Sequence, residues 1–243
     1  SITSFILLMH LRKVDFPQKF SKDLLHLISR NEQRGTQVNK AFKGFDVWNI
    51  YELLWLDTND VMHHEQISIT IDCDSEFIPE SKSMKLFLGS IIYKRFSNQT
   101  EVFNLISEIL NLELNTNVKI LNDIFTPKII EDIPIKKTDQ KLSACIEKTG
   151  EHKISSFSPF RSLCPVTGQP DIAKIIIKGS LSVEDKNHIA NYLGSFFNTN
   201  AYHEKCVEEI FQELLVNDFE FDSVEGHFER RGGISIIPVR QKV

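Results

Sequence analysis

One cysteine and one aspartate flank a short turn, and their residue types make them candidates for nucleophilic chemistry. In the stretch FRSLCPVTGQPDIAKIII, residues 160–177, Cys164 precedes the turn and Asp171 follows it. The prolines and glycine between them predict a tight loop, and a loop that doubles back could bring the carboxyl group near the sulfur. An accessible thiolate attacks electrophiles, and a neighbouring acid can supply a proton to the attacked group. A packing cysteine and an aspartate that binds loop amides would explain the same residues.

A second cluster, YHEKC at 202–206, stands at the start of a predicted helix. His203 is a candidate for proton transfer because its charge changes near neutral pH. His203 and Cys206 have the i, i+3 spacing of metal ligands, but the sequence has no second pair at zinc-site spacing, so we expect no metal. Glu204 either contacts a ligand or interacts only with the helix dipole. Cys206 is expected in the core.

Two basic segments are candidates for phosphate binding. In PESKSMKLF, residues 79–87, Lys82 and Lys85 share one face at the start of a helix, whose N-terminal amides favour anions. In FERRGGISIIP, residues 228–238, the adjacent glycines indicate close backbone approach or a positive φ, and an arginine there can hold phosphate. A solvated cationic face and an ordinary hairpin turn are the alternatives. Neither a GxGxxG nor a GxxxxGK[ST] motif occurs.

Composition limits the class of protein. The 243 residues are 41% hydrophobic and 25% charged, which is typical of a soluble globular protein. The net charge of −5 argues against a general nucleic-acid binder. The four cysteines form no CxxC pair, which favours a reducing compartment over a disulfide framework. The apolar run near the start is too short for a signal peptide or a membrane span, so we expect a cytoplasmic protein.

Apolar periodicity divides the chain into two similar halves. The first predicts strands at 46–57 and 65–74, a helix after the ESKS motif, a helix capped by Thr100, and a strand at 117–123. The second predicts a strand after Asp171, helices at 182–197 and 204–216, and strands at 219–228 and 233–238. Residues 124–157 lose this periodicity. Leu-Gly-Ser recurs at matching places, 88–90 and 193–195, which favours a tandem duplication.

These patterns predict an α+β fold in which two antiparallel sheets each carry a helix pair on one face. The boundaries that we infer are an N-terminal extension at 1–40, a first domain at 41–135, a linker at 136–157 and a second domain at 158–243.

The motifs ESKSMKLFLGS, SLCPVTGQPD, SFFNTNAYHEKCVEEIF and RRGGISI together resemble the 7-cyano-7-deazaguanine (preQ0) reductases, NADPH-dependent nitrile reductases of queuosine biosynthesis. FDVWNIYELLWLD resembles the long, two-half form of that family, and the likeness covers roughly residues 42–96 and 160–238. It implies tandem tunnelling-fold (T-fold) domains whose sheets join edge to edge, with purine-like ligands at interfaces. It also implies NADPH as cofactor, preQ0 as small-molecule substrate, a homodimer, and neither nucleic acid nor membrane as partner.

The resemblance further implies a role for each matching residue. Cys164 would attack the nitrile carbon, Asp171 would supply a proton to the nitrile nitrogen, and His203 would serve proton transfer and positioning. Glu80 and Glu204 would hold the deazaguanine edge. The residues expected at the cofactor are Ser81, Lys82, Ser83, Lys85, Arg231 and Gly232.

Two departures and two alternatives accompany this reading. Ile237 stands where the family has Asp or Asn, and Val239 stands where the long form usually has an aromatic residue. One alternative is a thiol-dependent T-fold hydrolase acting on a purine or pterin, which would turn over without nicotinamide. The other is a non-catalytic purine-binding homologue.

Overall fold

One mixed sheet runs through both halves of the chain. The computed structural model describes residues 18–35, 41–128, 131–146, 148 and 150–243. In these residues the sheet has nine strands, namely β2 (Phe42–Asp57), β3 (Met62–Asp72), β5 (Arg95–Phe96), β6 (Lys119–Leu121), β7 (Asp132–Pro134), β8 (His152–Leu163), β9 (Pro170–Ser180), β10 (Phe221–Phe228) and β11 (Ile234–Lys242). Their order across the sheet is β6-β3-β2-β11-β10-β9-β8-β7, and β5 pairs with β2 off this path.

Two short strands and five helices complete the described residues. The short strands β1 (Leu27–Ser29) and β4 (Phe77–Pro79) pair with each other. The helices are α1 (Arg30–Arg34), α2 (Ser81–Ser90), α3 (Gln99–Leu114), α4 (Val183–Gly194) and α5 (His203–Val216). Short 3-10 helices lie at Lys22–Leu24, Ile91–Tyr93 and Ser195–Asn198. None of the described helices combines the length and the apolarity that crossing a membrane requires.

The predicted α+β class is confirmed, and so is most of the element order. The alternation of Ile67, Ile69 and Ile71 does place all three side chains in the core, each at 0% exposure. Both Leu-Gly-Ser fragments end the first helix of a pair and lead into a 3-10 turn, at Ile91–Tyr93 and Ser195–Asn198. The two halves therefore share local structure at the point where they share sequence.

Two local predictions were wrong. The N-cap of α3 is Asn98, whose side chain accepts a hydrogen bond from the Glu101 amide, and Thr100 lies inside the helix. Residues 152–157, assigned to the linker, belong to β8. The alternation of apolar and polar residues that marks a strand is absent there, because two polar residues, Ser155 and Ser156, occupy buried positions at 1% and 0% exposure.

The two halves meet through antiparallel pairing of β2 with β11, in a register that runs from Ile234↔Ile50 to Lys242↔Phe42. This pairing protects two strand edges that would otherwise be exposed to other chains. The helix pair α2 and α3 packs against the core of β2 and β3, and the pair α4 and α5 packs against the core of β8, β9 and β10. Each half therefore contributes its own core to a continuous sheet.

The opposite face of the junction carries a smaller apolar cluster of Val47, Ile237 and Val239. The segment after β6 crosses this face. There the backbone amide of Phe125 donates to Asn49 Oδ1, and the side-chain Nδ2 of Asn49 donates to the Phe125 carbonyl. The chain thus passes from one half to the other across the face away from the helices.

A buried network of five charges holds the junction on the helical side. Arg240 Nη1 lies 2.8 Å from Asp46 Oδ1, and Arg240 Nη2 lies 2.8 Å from Glu208 Oε1. Arg30 Nη2 lies 2.6 Å from Asp46 Oδ2, and Arg34 Nη2 lies 2.8 Å from Glu208 Oε1. None of the five is more than 4% exposed. Burial alone raises the pKa of the Asp46 carboxyl, but Arg240 and Arg30 bring it below its ordinary value.

We predict that Arg240→Met lowers the free energy of unfolding by about 3–5 kcal/mol, because it leaves two buried carboxylates without their shared partner. The matched control is Arg95→Met, whose exposed ion pair with Asp60 should contribute less than about 1 kcal/mol. Urea unfolding of both variants measures the difference. Equal losses in the two variants would contradict the assigned role of the network.

Candidate active site

A cavity of about 320 Å³ opens at the seam between the two halves. Its walls come from α2 and its N-terminus, the β8–β9 turn, the start of α5 and the turn before β11. All but one of the residues proposed from the sequence line it, namely Glu80, Ser81, Lys82, Lys85, Cys164, Asp171, His203, Glu204, Arg231 and Gly232. Side chains more than a hundred positions apart in the chain therefore share one space.

The β8–β9 hairpin presents Cys164 and Asp171 to this cavity. The last residue of β8 pairs with the first residue of β9, so the loop is tight, as the prolines and glycine predicted, and it doubles back. The Cys164 amide donates to the Gln169 carbonyl, and the Gly168 amide donates to the Cys164 carbonyl, both at 2.8 Å. Gly168 has φ +68°, a left-handed conformation that suits glycine. The turn fixes the backbone on which the thiol is carried, and the thiol itself is partly exposed.

Asp171 lies between the side chains of His203 and Arg231. Its Oδ2 lies 3.5 Å from His203 Nε2, and its Oδ1 lies 3.0 Å from Arg231 Nη1. The His203 ring stacks on Phe228, with ring centroids 3.9 Å apart and planes at 18°. The carboxylate is nearly buried and oriented on both sides, which suits a group that must exchange a proton at a defined point. Arg231 therefore also contacts the predicted acid.

Glu80 is the N-cap of α2. Its Oε1 accepts a hydrogen bond from the Lys82 amide at 3.0 Å, and its Oε2 accepts one from the Ser83 amide at 2.9 Å. The N-terminal amides of this helix were predicted to bind a phosphate, but the amides of Lys82 and Ser83 already donate to the Glu80 carboxylate, which corrects that prediction. Ser83 is buried, and its hydroxyl accepts from the His26 amide and donates to the Glu80 carbonyl. Ser83 is the one proposed site residue that does not line the cavity.

Glu204 occupies a different environment from Glu80. It is 3% exposed, and its Oε2 accepts a hydrogen bond from Gln33 Nε2 at 2.8 Å. Burial raises the pKa of the Glu204 carboxyl and the negative charge of Asp46 raises it further, while His203 and Arg30 oppose part of the rise. A buried carboxylate with few donors has strong capacity to accept hydrogen bonds from a ligand.

The rim of the cavity is cationic. Lys85 Nζ lies 3.9 Å from Glu52 Oε2, and no ion pair in the described part of the chain involves Lys82. Gly232 has φ +55°, and a Cβ at this position would approach Lys85 Nζ to 3.3 Å. The glycine therefore leaves room for the lysine side chain. Two lysines on this rim fit the phosphate groups of a ligand, independently of the helix amides.

The cavity also has an apolar wall, which no motif in the sequence indicated. Trp48 and its cross-strand partner Ile236 line the cavity, and so do Ile28 and Ile78 of the short β1–β4 pair. Tyr202 lines it too, where burial and the neighbouring Cys164 raise the pKa of its hydroxyl. Tyr202 is the first residue of the YHEKC motif, so its place beside His203 in the sequence could have identified it as a residue of the site. Such a wall suits a flat, mostly apolar ring.

The two departures from the family pattern lie away from this cavity. Ile237 and Val239 are each 2% exposed and belong to the apolar cluster on the opposite face of the junction. Because side chains alternate along a strand, Ile236 faces the cavity while Ile237 faces away. Neither substitution alters a side chain that lines the cavity.

Comparison with known proteins gives consistent matches over both halves. The family model described as "Nitrile reductase, 7-cyano-7-deazaguanine-reductase N-term" matches residues 16–121, and the model described as "QueF-like protein" matches residues 170–243. A protein of Desulfotalea psychrophila named NADPH-dependent 7-cyano-7-deazaguanine reductase is 32% identical, over 94% of this chain and 90% of that protein. Proteins with the same name are 31% identical in Xanthomonas campestris (94% and 90% covered) and 30% identical in Teredinibacter turnerae (93% and 87%).

We predict that iodoacetamide at neutral pH modifies Cys164 well before Cys206 or Cys73. Burial raises the pKa of the Cys206 thiol to about 12 and that of Cys73 to about 11, so neither forms an appreciable amount of thiolate. Both are also almost completely shielded from solvent. Peptide mapping of the alkylated protein measures the order of reaction. Earlier labelling of Cys206 than of Cys164 would contradict the assignment of the accessible thiol.

Proposed function

We propose that the chain reduces the nitrile of preQ0 to the aminomethyl group of preQ1 with NADPH, because it belongs to the NADPH-dependent 7-cyano-7-deazaguanine reductase family. This reaction belongs to queuosine biosynthesis, in which a tRNA base is modified. The observation that carries the proposal is the convergence of Cys164, Asp171 and His203 in one cavity that Glu80, Glu204 and an apolar wall also line. The matches favour this reaction over the hydrolase and the non-catalytic alternative.

Cys164 is the proposed nucleophile. Its sulfur forms a bond to the nitrile carbon, one π bond of the C≡N group opens onto nitrogen, and that nitrogen takes a proton. The thiol proton is lost as the sulfur attacks, so the overall change is addition of S–H across C≡N to give a thioimidate. A nitrile is a poor electrophile unless its nitrogen is protonated during the attack, so an acid must lie beside the thiol.

Asp171 is the proposed acid, and His203 and Arg231 hold it. The contacts of 3.5 Å and 3.0 Å on its two oxygens restrict the carboxyl group to one orientation. His203, stacked on Phe228, is fixed in turn and can return a proton to Asp171 after each transfer. Cys164, Asp171 and His203 all line the same cavity, so the proton transfers would take place within it.

NADPH, when bound, supplies hydride to the substrate carbon, and conversion of a nitrile to an amine needs two such transfers. Lys82 and Lys85 on the cationic rim would hold its phosphates, with Ser81 and Gly232 beside them. Arg231 remains a proposed contact of the cofactor, although its guanidinium also binds Asp171. Ser83 has no part in this proposal, since its hydroxyl is used within the fold.

Glu204 and Glu80 are the proposed ligands of the deazaguanine edge. A guanine-type edge carries N–H donors, and a carboxylate accepts them; a substrate without those donors would leave a buried charge unpaired. Glu204 is the stronger candidate, because the oxygens of Glu80 already accept two amides of α2. Since the two residues come from different halves, both halves take part in recognition.

We further propose that each half is a T-fold unit. The second half has the order strand-strand-helix-helix-strand-strand. Apart from the short strands β4 and β5, the first half has the order strand-strand-helix-helix-strand, and both helix pairs pack on the sheet. In this proposal the first unit keeps the predicted bounds 41–135, and the second begins at His152, where β8 begins, rather than at 158. The pairing of β2 with β11 joins the two units. A homodimer and a cytoplasmic location are further parts of the proposal.

We expect the protein to oxidise about two NADPH for each preQ0 consumed, because reduction of a nitrile to a primary amine takes four electrons. Absorbance at the nicotinamide band, together with quantification of preQ1, measures this ratio. Absence of NADPH oxidation by the folded protein with preQ0 would refute the proposed function. Turnover without nicotinamide would instead favour the hydrolase.

We expect Cys164→Ala to abolish the covalent mass increase that preQ0 alone produces on the wild-type protein, because the variant lacks the attacking sulfur. Cys145→Ala is the control, since Cys145 lies outside the cavity and should leave the adduct intact. Intact-protein mass spectrometry reads both variants. An adduct that persists in Cys164→Ala would identify another nucleophile.

A further inference from the structure

The segment from His26 to Gly35 lies outside both halves and still reaches the cavity. Its strand β1 pairs with β4, with Ile28 opposite Ile78, and both of these side chains line the apolar wall. Its helix α1 carries Gln33, whose amide donates to Glu204 Oε2 at 2.8 Å. A segment near the start of the chain therefore contacts a carboxylate 171 positions away.

The backbone around Gln33 is firmly held. Arg30 and Arg34, on either side of it in α1, are the two arginines that pair with Asp46 and Glu208 in the buried network. The Ser29 side chain caps the helix by accepting from the Glu32 amide. Gln33 itself is 7% exposed, so its amide has little freedom to turn away from the carboxylate.

The charges around Glu204 give this amide its importance. Asp46 repels the carboxylate, whereas Arg30 and His203 attract it. Among the described side chains, Gln33 gives Glu204 a direct hydrogen bond, and it does so on one oxygen only. That contact both favours the ionised form and fixes the rotation of the carboxylate plane. The backbone amide of Glu204 also favours the ionised carboxylate, and no described side chain donates to Oε1. Glu204 itself lines the cavity, where a ligand would meet its carboxylate.

We propose that Gln33 is a positioning residue, which orients the Glu204 carboxylate so that it accepts the N–H donors of a guanine-type ring. The inference rests on the proposed function for its substrate, and it adds the segment around α1 to the specificity-determining part of the site. Gln33 acts through Glu204 and touches neither the reacting carbon nor the nitrile. Its loss should therefore weaken recognition of the ring edge and leave the chemical steps intact.

The test is the near-isosteric variant Gln33→Met, assayed with preQ0 and with 7-cyano-7-deazahypoxanthine, which lacks the 2-amino group. We expect the KM for preQ0 to rise about tenfold, the usual effect of losing a hydrogen bond to a charged group, with kcat within about twofold of wild type. The preference for preQ0 over the desamino analogue should fall by a similar factor. Gln212→Met is the control, because Gln212 lies on the same helix as Glu204 and does not line the cavity.

Thermal unfolding of each variant separates positioning from stability. If Gln33→Met does not fold, Gln33→Asn replaces it, because its amide is one methylene too short to reach Glu204 and predicts the same loss of preference. A uniform loss with both substrates, or an unchanged preference in a folded variant, would overturn the role of Gln33. Failure of the wild-type protein to reduce preQ0 would refute the proposed function instead, and the two failures are therefore distinguishable.

Discussion

The position of Arg240 between Asp46 and Glu208 is the interaction on which the rest of the structure depends. The two carboxylates come from different halves of the chain, and Arg30 and Arg34 add contacts from the N-terminal segment. Buried charges are tolerated only when they are paired, so these groups must meet in one arrangement. The apolar packing of each half supplies stability, whereas this network specifies how the halves and the segment around α1 fit together.

The geometry and the electrostatics of the cavity depend on the same junction, because the elements that carry the buried network also carry residues of the cavity. Glu204 lies one helical turn before Glu208 on α5, and Asp46 lies on the strand that carries Trp48. Burial raises the pKa of the Glu204 carboxyl, and the charge of Asp46, which helps to anchor the halves, raises it further. Glu80 shows the opposite case, since its oxygens are satisfied by amides of α2. Two carboxylates on one cavity thus have different capacities to accept hydrogen bonds from a ligand.

The two halves contribute unequally to the site. The β8–β9 turn carries Cys164, whereas the corresponding turn of the first half, between β2 and β3, reads TNDV and has no cysteine. The first half instead supplies the start of α2, with its carboxylate and lysines. A repeated scaffold can specialise in this way because the loops differ while the sheet and the helix pairs are retained.

The sequence by itself determined the strands with strict alternation, such as Ile67, Ile69 and Ile71, and the turn that joins Cys164 to Asp171. Both follow from rules that act over a few residues. Only the tertiary structure decided that Glu80 caps α2, that buried serines continue β8, and that Gln33 contacts Glu204. Arginine side chains are mostly exposed in folded proteins, yet Arg34 is buried against a partner 174 positions away. Pairing of distant polar groups depends on how complete elements pack, and no local pattern encodes it.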